Sequence, residues 1–157
     1  MKPNIGITEK NTLAVANALA KILADEVVLV TKTRNAHWNV EGPDFHAMHL
    51  FFETQYNALD ESIDSIAERI RSLGHYAPGT LKEFLELTSL TEKRGNKNTS
   101  ESFLKDLLGD HEAVIIQLRE NMEAFANKYK DAGTSDFITG VMESQEKMAW
   151  MLRAHLK

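Results

Sequence analysis

Residues 37–74 read HWNVEGPDFHAMHLFFETQYNALDESIDSIAERIRSLG, from His37 through His49, Glu53, Asp64 and Glu68 to Gly74. Glu41-Gly42-Pro43 interrupts the pattern, and Asp44 can cap a helix that runs to about Leu73. Phe45, Met48, Phe52, Leu59, Ile63, Ile66 and Ile70 recur at helical steps and form its apolar stripe. Gly74 is a plausible C-terminal stop, because glycine adopts the left-handed conformation without a Cβ penalty.

Working outward, a first helix is expected from about Thr8 to Trp38, with Leu13, Ala16, Leu19, Ala20, Leu23, Val27 and Val30 on one stripe. Ile22 and Leu29 lie off that stripe, so a second face is also apolar and should pack against something further. After Gly74 comes a long connection in which Thr80 could cap a short helix, Leu81 to Leu87, followed by a polar loop over 91–98. A connection this long permits a crossover along a helical bundle. A third helix is expected from about Ser100 to Lys130, carrying Leu104, Leu107, Val114, Leu118, Met122 and Phe125. Gly133 ends that region, and Thr134 or Ser135 would cap a fourth helix with Phe137, Val141, Met148, Met151 and Leu152. The fold class is therefore all-α: one domain over 1–157, a four-helix bundle with a short extra helix in its middle connection and a short flexible tail at 1–7. Only 8 glycines and 3 prolines in 157 residues agree with long uninterrupted helices.

The chemistry-bearing residues lie on and just before the second helix. His49/Glu53 and Asp64/Glu68 are each four residues apart, so each pair projects from one face. Imidazole and carboxylate together suit iron, manganese or zinc. A rise of about 1.5 Å per residue separates His49 from Asp64 by roughly 22 Å, too far to share a metal within one chain. With His49 at zero and about 100° per residue, Glu53 falls near ~40°, Asp64 near ~60° and Glu68 near ~100°, well away from the core direction near ~280°. Two such helices packed antiparallel about a two-fold axis near Ala58–Leu59 would bring His49 and Glu53 of one copy to Asp64 and Glu68 of the other, twice by symmetry. The plainer alternative is a solvated acidic face. An intrachain di-iron site is disfavoured, since the sequence contains no Glu-x-x-His.

The pattern His37-Trp38-Asn39-Val40-x-Gly-x-x-Phe45, His49, Glu53, then Asp64-x-x-Ala67-Glu68-Arg69-Ile70-x-x-Leu73-Gly74 resembles the signature of the Dps family of mini-ferritins. The resemblance implies a dodecameric hollow shell that oxidises Fe(II) with hydrogen peroxide, dioxygen being the other oxidant, and stores iron. It implies His37 and His49 as ligands from one subunit, Asp64 and Glu68 from its partner, and Glu53 completing the set or holding a second metal. On the same reading Trp38 is an electron donor or radical sink, against packing as an interface aromatic. Asp131 and Asp136 would line an iron-entry pore. For Asp136 the alternative is capping and dipole matching at the last helix.

His111 falls on the apolar stripe of the third helix and is expected to be buried and hydrogen-bonded. His46 is expected at the surface. His75 and His155 have no nameable partner in the sequence, and Trp150 reads as packing. The absence of cysteine removes disulfides and thiolate sites. Neither a signal-like apolar run nor a membrane-length segment occurs, so a cytoplasmic protein is expected. The net charge of -5 and the few terminal cations (Lys2, Lys10, Arg153 and Lys157) argue against DNA as the main partner. A DNA-coating role with incidental metal binding is the alternative function.

Overall fold

The structure is a computed structural model that describes residues 3–92 and 97–157. Five helices follow in order: α1 Glu9–Asn39, α2 Phe45–Ser72, α3 Leu81–Leu87, α4 Ser100–Asn127 and α5 Ala132–Ala154. No strand occurs among the described residues. Part of the expected polar loop, 93–96, lies outside them.

The helix ends follow local chemistry. Thr8 caps α1 by accepting from the Asn11 N–H. Thr80 and Glu83 form a reciprocal capping box at α3. Asp44 precedes α2 without a side-chain cap bond. At the other end of α2, the Gly74 N–H reaches the Arg71 carbonyl at 2.9 Å and the His75 N–H reaches that of Ile70 at 3.3 Å. Gly74 has φ +90, which completes a Schellman stop.

Helix α1 lies against α2, α3 and α4, while α5 closes the bundle against α4 and α2. The Glu41 N–H bonds to the Asn98 carbonyl at 2.9 Å, so α2 and α4 start at the same end. At the opposite end Arg69, late in α2, donates to Thr134 at the start of α5. Helices α2 and α4 therefore run parallel, and the 73–99 connection is a crossover along the bundle.

The core of α1 is rotated from the expected stripe. Ile22 and Leu29 are fully buried, whereas Leu13 is exposed. Helix α3 also lies against α1, and the segment after it bonds to Asp25 of α1. Phe45, expected in the core of α2, is also exposed.

Candidate metal centre

The end of α1 and the first turns of α2 place His37 beside His49. Their rings stack with centroids 3.8 Å apart and planes 20° from parallel. The His37 Nδ1 lies 2.8 Å from the His49 carbonyl oxygen, and the His49 Nδ1 lies 2.8 Å from the His37 carbonyl oxygen. A carbonyl oxygen can only accept, so each Nδ1 carries the hydrogen. In the neutral tautomer this leaves the lone pair on Nε2. This is the arrangement of metal-binding histidines, in which the second nitrogen donates to a fixed acceptor and sets ring orientation. Stacked rings with both Nε2 atoms available fit an imidazole-binding cation such as Fe(II).

The neighbours of this pair come from the same face of α2 and from α1. The Tyr56 and His37 rings form a T-shaped pair with centroids 5.2 Å apart, and the Tyr56 hydroxyl lies 3.5 Å from Glu53 Oε1. Arg34 sits over the Tyr56 ring at 5.1 Å and pairs with Asp60 at 2.5 Å. Phe45 flanks His49 at 5.3 Å. Asp64 and Glu68 are exposed further along α2, roughly 22 Å or more from His49 by helical rise. Among the described residues, no three His, Asp or Glu side chains of the one chain form a group able to hold a metal.

A ferritin-like domain family matches residues 16–157. The chain is 41% identical over 154 residues to a low temperature-induced protein from Nostoc sp., covering 98% of this chain and 86% of that one. It is 40% identical over 142 residues to DNA protection during starvation protein 2 of Bacillus anthracis, covering 90% of this chain and 96% of that protein. In structure it is similar to the Dps protein of Vibrio cholerae O1, with a TM-score of 0.92, 32% identity and coverage of 100% and 98%. That protein is described as a member of a broad superfamily of ferritin-like diiron-carboxylate proteins. The chain belongs to the Dps family of ferritin-like proteins.

Within this Dps chain, Trp38 follows His37 in sequence but turns elsewhere. It is 68% exposed and lines a groove against α4 with Asn35, Phe103 and Asp106. Asp131 is 1% exposed and is the N-cap of α5, with its carboxylate accepting from the Thr134 N–H at 2.9 Å and hydroxyl at 2.6 Å. The capping part considered for Asp136, Thr134 or Ser135 thus falls to Asp131, because the chain turns into the helix earlier than expected. Gly133 lies inside α5 rather than before it. Asp136 is exposed.

The remaining histidines divide plainly. His46 is exposed, His75 Nε2 lies 3.0 Å from the Thr12 hydroxyl, and His155 packs on Phe51. His111 is fully buried, as expected, and its Nδ1 lies 2.5 Å from Gln145 Oε1. Gln145 Nε2 in turn donates to Glu26 Oε1 at 2.7 Å. Burial pushes the Glu26 carboxyl up to about 8 and the His111 imidazole down to about 4. Near neutral pH the chain therefore holds a protonated acid and a neutral imidazole. The buried Asp25 accepts from the Thr88 hydroxyl and the Ser89 N–H, both at 2.6 Å, and pins the crossover to α1. The apolar stripe of α1 does not mark Asp25 and Glu26. The available signal was two adjacent acids inside the most apolar run of α1.

Proposed function

We propose that this Dps chain oxidises Fe(II) at sites shared between two copies and stores the ferric product in a dodecameric shell. The observation that carries the proposal is the reciprocal locking of His37 and His49, which leaves two Nε2 donors beside Glu53, while the Asp64 and Glu68 carboxylates lie beyond reach in the same chain. Antiparallel pairing of two α2 helices would complete the set with Asp64 and Glu68 of the partner subunit. Glu53 either finishes this set or binds a second iron. The imidazoles retain Fe(II), and the harder carboxylates favour Fe(III).

Hydrogen peroxide is the proposed oxidant, with dioxygen as the other. Peroxide accepts two electrons and each Fe(II) supplies one, so a site that pairs the electrons avoids releasing hydroxyl radical and protects the cell. Asp136, exposed at the start of α5, is the carboxylate proposed to draw Fe(II) toward the shell. Buried Asp131 is already engaged as a cap.

The test uses His49→Ala and Asp64→Ala. Each variant should assemble, since neither change touches an apolar stripe, and each should lose fast Fe(II) oxidation. The two are then dissociated, mixed and reassembled. In a hybrid pair one site lacks both ligands and the other is intact. Random pairing should restore roughly a quarter of wild-type activity. Mixed shells with verified hybrid pairs that stay inactive would overturn the shared site.

A further inference from the structure

We propose that Tyr56, rather than Trp38, is the electron donor built into this centre, supplying the second electron when peroxide meets a site holding a single Fe(II). The inference rests on the functional reading above.

Three contacts carry it. The Tyr56 and His37 rings meet in a T-shape with centroids 5.2 Å apart, which puts the phenol against a proposed iron ligand. Its oxygen lies 3.5 Å from Glu53 Oε1, a carboxylate able to take the phenol proton. Arg34 rests over the ring face at 5.1 Å. A cation in that position opposes a positively charged ring, so an electron can leave only together with the proton. Asp60, at 2.5 Å from Arg34, holds the guanidinium in place. Trp38 has none of these contacts and faces the groove toward α4.

The O–O bond of hydrogen peroxide breaks. One electron comes from Fe(II), which becomes Fe(III), and one from Tyr56, which becomes a neutral phenoxyl radical. Both peroxide oxygens leave as water, taking up the phenol proton by way of Glu53 and one proton from solvent. No hydroxyl radical is set free.

The experiment loads the assembled protein anaerobically with one Fe(II) per site, adds one equivalent of peroxide and freezes the mixture rapidly. Electron paramagnetic resonance reads the radical, optical absorbance reads Fe(III), and protein grown on ring-deuterated tyrosine identifies a phenoxyl by its narrowed signal. The phenoxyl signal should appear in wild type, in Trp38→Phe and in the double variant Tyr76→Phe/Tyr129→Phe, which removes the other two tyrosines. It should be lost in Tyr56→Phe, whose assembly is checked by light scattering. A signal that survives in Tyr56→Phe, an indole signal lost in Trp38→Phe, or iron oxidised without any radical would each overturn the assignment to Tyr56. Should wild type fail to oxidise Fe(II) at all, the functional reading itself falls, and this proposal with it.

Discussion

His37 and His49 are twelve residues apart, and each ring is oriented by the other's backbone. The reciprocity matters because a free imidazole presents either nitrogen, whereas here only Nε2 is left. Spacing revealed that His49 and Glu53 share a face, but it could not show which nitrogen each ring offers. Tyr56 was accessible in principle: at seven residues from His49 it returns to nearly the same helical angle. Its significance depends on Arg34 and His37, which α1 supplies. Asp131 shows the same limit. Asp131, Thr134, Ser135 and Asp136 all have capping chemistry, and the backbone path chooses among them. Asp131→Ala should lower stability by about 0.5–2 kcal/mol, the usual cost of a lost cap. Denaturant unfolding of the variant checks this, and a cost indistinguishable from zero would show that the cap and the 3.4 Å ion pair of Asp131 with Arg69 contribute nothing.

At the scale of helices, the buried chain Glu26–Gln145–His111 ties α1, α5 and α4 together in the core. Its pH behaviour follows from the direction of each shift. Glu26 is raised from 4.5 to about 8, so the native state holds a proton that the unfolded chain has released. Its contribution is full below 4.5 and is lost as pH rises toward about 8. His111 is lowered from 6.5 to about 4, so its contribution is full above 6.5 and is lost as pH falls toward about 4. The two oppose each other between 4.5 and 6.5, and above 6.5 only Glu26 still titrates. Stability should therefore decline from pH 6.5 toward 8, with a limiting slope of about 1.4 kcal/mol per pH unit. Glu26→Gln keeps the shape and removes the proton, so its stability curve should be flatter over that window. Parallel curves for variant and wild type would refute the assignment.

At the scale of the molecule, the faces left uncovered by one chain set the expectations for assembly. Ile116 and Trp150 are about 60% exposed on the α4–α5 side, at 60% and 61%, and the acidic part of α2 is also open. Light scattering should give the mass of a dodecamer, and a stable monomer at micromolar concentration would sink the shared-site proposal. No helix among the described residues is long and apolar enough to cross a membrane. With a net charge of -5, the assembled protein should leave duplex DNA unshifted at physiological salt. Retardation that survives such salt would show that assembly creates a basic surface.

The sequence by itself determined the helices and the geometry along α2. Periodicity, caps and glycine stops act within a few residues, so α3 at Leu81–Leu87 and the Gly74 terminus were readable before any contact was known. Helical rise is equally local, which is why the separation of His49 from Asp64 could be stated in advance. Only the tertiary structure decided the rotation of α1, the turn of Trp38 away from His37, the cap at Asp131 and the chain from Glu26 to His111. Each depends on what another helix brings to the same place, across as many as 119 residues for Glu26 and Gln145. A local pattern carries no record of that partner, because burial and hydrogen bonding are settled only when the helices pack.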